Sequence, residues 1–160
     1  GTYEKSVNLA ISSKVASMLE KAGLDVQLTR SKDTDLMLWP RVDMGEEFKS
    51  DAFVSIHMNS APNRATQGVE TYYFTPESIP LARSIHRKLV AALGQPDRGV
   101  RRAQFVVVKY SRMPACLVEV GYLSNPREES LLVSADYQQK AAEGILSGIQ
   151  DYMRDRVARR

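Results

Sequence analysis

The chain has 160 residues, 43% of them hydrophobic and 26% charged, with a net charge of +3. At roughly 150 residues per domain this predicts one domain with its own core, and it excludes a disordered tail or a collagen-like chain. No apolar run approaches the ~18 residues of a membrane span, and a single cysteine, Cys116, leaves no internal disulfide framework and no cysteine-based zinc site.

Taken in chain order, helix and strand patterns alternate. Val7, Ile11, Val15, Met18 and Ala22 recur at helical spacing, and Gly23 supplies a stop. Residues 25–30 alternate like a strand. A second helix is expected within residues 36–50, starting near Pro40. Residues 52–57 and 69–74 read as strands, the second β-branched and aromatic. Leu81, Ile85 and Leu89 stripe a helix that closes at Gly94. Residues 105–109 and 115–120 read as two further strands. Ser134 is placed to cap a last helix carrying Tyr137, Ala141, Ile145, Ile149 and Tyr152 on one face. No repeat and no linker divides the chain. The pattern predicts a single three-layer α/β domain, with a mostly parallel or mixed central sheet of about five to six strands flanked by helices.

The basic residues do not form one stripe with interleaved aromatics, so nucleic acid is not expected as a partner. Arg98, Arg101 and Arg102 cluster in an expected loop, suited to an anionic ligand. Arg154, Arg156, Arg159 and Arg160 end the last helix, where cations suit the dipole and a solvated face is the simpler reading.

A few residues stand out chemically. His57 ends an apolar strand, where ligands of open α/β sheets collect. It suits a metal ligand or proton carrier, or simply a hydrogen-bonded strand end. Glu119 interrupts the run Ala-Cys-Leu-Val-Glu-Val. A carboxylate there is costly unless paired, protonated or metal-linked, or unless the strand is an edge with Glu119 facing water. Glu4 opens the first helix, a position acids favour for the dipole alone. Glu70 interrupts another strand and reads as structural, turned outward by alternation. His86 reads as a partly exposed helix residue. Cys116 sits in an apolar stretch that disfavours a thiolate nucleophile. No GxGxxG, P-loop or GxSxG is present.

Read as strings, residues 1–9 (GTYEKSVNL), 51–60 (DAFVSIHMNS), 68–74 (GVETYYF), 97–103 (DRGVRRA) and 113–125 (MPACLVEVGYLSN) resemble, in order, blocks of the zinc-dependent N-acetylmuramoyl-L-alanine amidases of the Amidase_3 type. The resemblance implies hydrolysis of the amide between N-acetylmuramic acid and L-alanine in peptidoglycan. By position, it implies that Glu4 and His57 are zinc ligands, that Glu119 is the catalytic glutamate, and that Asn59 and Arg98 bind substrate. The implied cofactor is Zn2+, and the implied partners are the peptidoglycan stem peptide and glycan. The implied location is outside the cytoplasm, in the periplasm or cell wall. The family's first zinc ligand lies in a Gly-His-Gly-Gly stretch after a strand upstream of the Glu4 block. Residues 1–160 are therefore expected to be an amidase catalytic domain that is incomplete at its N-terminal side. Only about ten residues separate His57 from Gly68, so a long helix occluding the site is not expected there.

Two other functions fit the residues. One is a catalytically incomplete peptidoglycan-binding or regulatory domain of the same fold. The other is a small-molecule-binding α/β domain without metal, which requires His57 and Glu119 to lie far apart.

Overall fold

The stripe at the start of the chain becomes one long helix. In a computed structural model, which describes residues 1–158, α1 spans Glu4–Lys21 and buries Val7, Ile11 and Val15. Helix α2 spans Leu38–Glu47, with Pro40 in its first turn, where a missing N–H costs nothing. Four strands follow: β1 (Phe53–Asn59), β2 (Val69–Tyr73), β3 (Asp97–Arg102) and β4 (Ala115–Tyr122). Their order across the sheet is β1-β4-β2-β3. β1 runs parallel to β4, β2 antiparallel to β4, and β3 parallel to β2.

The sheet is thus mixed, as expected, but has four strands rather than five to six. Residues 25–30 form no strand. Val26 packs on the core, which accounts for the alternation. The nearest sheet edge, β1, lies across a groove of about 530 Å³ that residues 24–30 line on one side and residues 52–56 on the other. Without a neighbouring edge to bond, extended backbone gains no ladder. Residues 105–109 contain a short helix, α4 (Val106–Lys109), instead of a strand. Val107 and Val108 bury against Phe53 and Leu117, so the apolar run satisfies its burial as a helix. The arginine cluster expected in a loop lies on β3, an edge strand whose exposed charges discourage further pairing.

One face of the sheet is covered by α1, α3 (Ile79–Leu93) and α6 (Ala135–Ala158), around Ile56, Cys116, Val118 and Val120. The Ser134 hydroxyl accepts the Tyr137 N–H at 3.3 Å, capping α6, and Tyr137, Ala141, Ile145, Ile149 and Tyr152 are all buried. Gly148 lets α6 approach α3 closely: a Cβ there would sit 2.8 Å from the Ile85 nitrogen. On the opposite face, α2 and α4 cover only the half of the sheet near Phe53, Ala115 and Leu117. Helix α5 (Pro126–Leu132) follows β4, with Asn125 capping it through the Arg127 and Glu128 N–H groups. Near the chain's end, Arg154 pairs with Asp151, and Arg156 pairs with Asp51 at 2.9 Å. Arg159 and Arg160 of that basic cluster lie outside the described residues. Residues 60–68 contain no helix.

Candidate active site

Parallel pairing brings the carboxyl ends of β1 and β4 together, and it sets His57 opposite Glu119. Antiparallel pairing sets Glu70 of β2 opposite the same Glu119. Directly paired residues project to one face, so His57, Glu119 and Glu70 form a row across the sheet. They stand on the face that α2 and α4 leave open. Glu4, in the first turn of α1, completes the group. Its Oε1 lies 2.8 Å from His57 Nδ1 and accepts the Met58 N–H at 3.2 Å. The structure therefore brings Glu4, His57 and Glu119 together, which excludes the reading that required His57 and Glu119 to be distant.

The carboxyl groups differ in environment. Burial alone pushes Glu4 up. The hydrogen bonds from His57 and the Met58 N–H, with the charges of His57 and Arg41, outweigh it and hold Glu4 below the ordinary carboxylate range. Glu119 is 9% exposed on a central strand, not facing water from an edge. Burial raises its pKa to about 7; His57 opposes this, while Glu4 and Glu70 add to it. Its Oε2 is buried with no hydrogen-bond partner. An ionisable oxygen kept dry, unpaired and near neutrality is poised to exchange a proton.

Glu70 is not turned outward as alternation suggested: it is 2% exposed. Arg98 Nε donates to it at 2.7 Å and Asn59 Nδ2 at 3.2 Å, and the Tyr72 hydroxyl also donates. Desolvation raises Glu70, but the bonds from Tyr72, Arg98 and Tyr122 outweigh it and keep it ionised. Asn59 and Arg98 are thus both engaged with Glu70, at the side of the row away from His57. The Arg98 guanidinium also lies over the Tyr122 ring, 5.5 Å from its centroid.

The donor set fits part of a zinc site. An imidazole and a carboxylate lie side by side and partly exposed, beside the unpartnered oxygen of Glu119. His57 Nε2 lies 3.0 Å from the Ser55 hydroxyl, a hydrogen bond of the kind that fixes the orientation of a metal-binding ring. Among the described residues, no group of three or more His, Cys, Asp or Glu is arranged to hold an ion. Glu4 and His57 would supply two protein ligands, where a catalytic zinc ordinarily takes three.

Three other polar groups play structural parts. His86 is buried, not partly exposed, with Nδ1 3.0 Å from the Thr71 hydroxyl and Nε2 2.7 Å from Asp97. Thr71 is inaccessible, so this chain of contacts braces α3 against β2 and β3. Cys116 is fully buried, and desolvation pushes its thiol up to about 12, which removes it as a nucleophile. Glu128, unnoticed in the sequence, is wholly buried and accepts the Gly68 N–H at 3.0 Å and the Tyr122 N–H at 2.7 Å. It ties the start of β2 to the end of β4. The Asn125-Pro126 pair, a cap followed by proline at the first helical position, was the signal for the helix that carries it.

Residues 1–151 match the family model described as Amidase_3, N-acetylmuramoyl-L-alanine amidase. The chain is 42% identical over 158 residues to the N-acetylmuramoyl-L-alanine amidase LytC of Bacillus subtilis (strain 168), covering 96% of this chain and 32% of LytC. It is 41% identical over 156 residues to the uncharacterized protein YqiI of the same organism, covering 95% of this chain and 75% of YqiI. Among solved structures, the catalytic domain of CwlV, an N-acetylmuramoyl-L-alanine amidase from Bacillus (Paenibacillus) polymyxa var. colistinus, superposes with a TM-score of 0.93 at 45% identity. That match covers 96% of this chain and 86% of the CwlV chain.

Proposed function

Because the chain belongs to the N-acetylmuramoyl-L-alanine amidase family, we propose that it hydrolyses the amide between N-acetylmuramic acid and L-alanine in peptidoglycan, with Glu119 as the proton carrier and a zinc ion held in part by Glu4 and His57. The observation that carries this reading is Glu119 itself: a buried carboxyl with a pKa raised to about 7 and one oxygen unpartnered, directly opposite His57. A zinc ion held there would supply Lewis-acid chemistry, activating water near neutral pH and polarising a carbonyl. Glu119 takes a proton at Oε2 as water attacks and delivers it to the departing L-alanine nitrogen. Glu4 keeps its charge across this change because His57 and Met58 bond to it. Asn59 and Arg98, fixed on Glu70, border the row and present polar groups to the substrate.

The third ligand is proposed to come from a segment preceding Gly1 in the full-length protein. The groove beside the free edge of β1 supports this. It is about 530 Å³, lined by Val15, Ala16 and Leu19 of α1 on one wall and by residues 52–56 on another, and it has the position and polarity to receive a strand. The likeness to bacterial cell-wall amidases supports a place of action outside the cytoplasm.

The presence of only two described ligands favours a second reading, a domain that binds peptidoglycan without cleaving it. Metal analysis separates the two. The full-length protein is expected to retain one zinc per molecule after dialysis and to lose it in a Glu4→Ala, His57→Ala variant. Zinc-free full-length protein that still binds peptidoglycan would favour the second reading.

A further inference from the structure

Large aromatic side chains are unusually exposed along one border of the open face. Trp39 is 53% exposed, Tyr110 45% and Phe105 42%. They form a connected run. The Trp39 and Tyr110 rings lie 4.6 Å apart, centroid to centroid. Lys109 Nζ sits 5.3 Å from the Tyr110 centroid and 5.6 Å from that of Phe74. Arg102 lies over the Phe74 ring at 4.3 Å. Phe105 meets Tyr72 edge to face at 5.2 Å, and the Tyr72 hydroxyl donates to Glu70. The run therefore starts at α2, crosses α4 and β2, and ends at the row that contains Glu119.

Val107 and Val108 bury the inner face of α4 without help from Phe105 or Tyr110. Contiguous exposed apolar surface rimmed by polar groups marks an interaction site. Cations lie over the Phe74 and Tyr110 rings, a setting that suits a ligand with apolar faces and negative substituents.

We propose that this aromatic run is a glycan-binding surface, which holds the saccharide chain of peptidoglycan while the stem peptide enters the Glu119 row. This rests on the amidase reading for its choice of substrate. The chemistry favours that occupant. The axial C–H face of a pyranose ring is apolar and weakly positive, complementary to the negative face of an aromatic ring. Arg101, Arg102 and Lys109 are the right sign for the carboxylates of stem peptides hanging from the strand. A patch meant for an unrelated partner would have no need to run into Glu70 through Tyr72.

Trp39 is the only tryptophan in the chain, so its fluorescence reports on the surface directly. The test is a titration of the chain with soluble glycan strands freed of their peptides, without metal and without turnover. Saturable quenching or a shift of Trp39 emission is expected. Tyr110→Ala and Phe105→Ala are each expected to weaken the apparent affinity at least tenfold, while Val133→Ser, at an exposed apolar residue outside the run, leaves it unchanged. Thermal unfolding of each variant confirms that it is folded. No response to glycan, or glycan binding indifferent to both aromatic variants, would overturn the proposal. So would a response to vesicles of anionic phospholipid in place of glycan. Because the titration involves no catalysis, loss of the amidase reading and loss of the glycan surface are distinguishable: turnover with no glycan response sinks only the latter, and the reverse result only the former.

Discussion

Glu70 and Glu119 face each other across β2 and β4, both almost wholly buried, and of the two only Glu70 forms an ion pair, with Arg98. Two adjacent buried carboxyls cannot both carry an uncompensated charge cheaply. The bonds from Tyr72 and Arg98, with the Arg98 charge, favour Glu70 as the one that ionises. With Glu70 held negative, the proton goes to Glu119, which burial already raises to about 7. The proposed proton carrier is thus set first by its own burial, and the charge of Glu70 adds to it.

Removing Arg98 is expected to expose this division. In Arg98→Ala, Glu70 keeps its tyrosine and asparagine bonds but loses its nearest charge. The loss is expected to cost about 1–3 kcal/mol at neutral pH, measured by urea denaturation. Glu70 is held below its ordinary value of 4.5, so its contribution is present above that pH and is lost as the pH falls through its lower folded value. Variant and parent should therefore converge in acid. A constant difference from pH 3 to pH 7 would show that Arg98 acts through packing rather than through Glu70.

Glu119 has the opposite pH signature. Its pKa rises from 4.5 to about 7 on folding, so the folded state binds more protons between those values. In the metal-free chain, stability is expected to fall as the pH rises from about 4.5 to about 7, by at most about 3 kcal/mol, and then to level off. Glu119→Gln cannot ionise and should flatten that slope. Denaturant midpoints taken at half-unit intervals across this window provide the measurement, and an unchanged slope in the variant would show that Glu119 ionises normally.

Glu128 offers a test of the frame that carries the site. Replacing it with alanine leaves the Gly68 and Tyr122 N–H groups buried without acceptors. At ~1–3 kcal/mol for each orphaned donor, Glu128→Ala should lose about 2–6 kcal/mol of stability. Glu128→Gln, which keeps one acceptor oxygen, should lose less. Equal losses in the two variants would point to packing around Gly121 instead.

The legible parts of this fold were those written in long periodicities. The α1 and α6 stripes are buried as their spacing predicts, and the strands bearing His57 and Glu119 lie on the expected apolar runs, each ending two residues later. A short apolar run carries no such information: Val106 to Val108 bury equally well as one helical turn. β3 escaped notice because an edge strand rich in arginine has the composition of a loop. Of the candidate site, Glu4 and His57 were readable from their places near element ends and Glu119 from its interruption of an apolar run, aided by the family blocks. Glu70 was not, because alternation says which residues share a face but not whether that face is solvent or cleft. Its meaning depends on Arg98, 28 residues away and paired with it only in the fold.

The most direct test of the central claim is cleavage of a purified muramoyl-peptide by the full-length protein and its Glu119→Gln variant, following newly exposed L-alanine amino groups, with zinc measured on the same samples. The parent should release L-alanine amino groups. The variant should do so ~10²–10⁴-fold more slowly, the range expected for loss of a positioned proton carrier, while holding the same zinc. Near-parental release by Glu119→Gln, or a parent that exposes no L-alanine amino groups while fully loaded with zinc, would contradict the account.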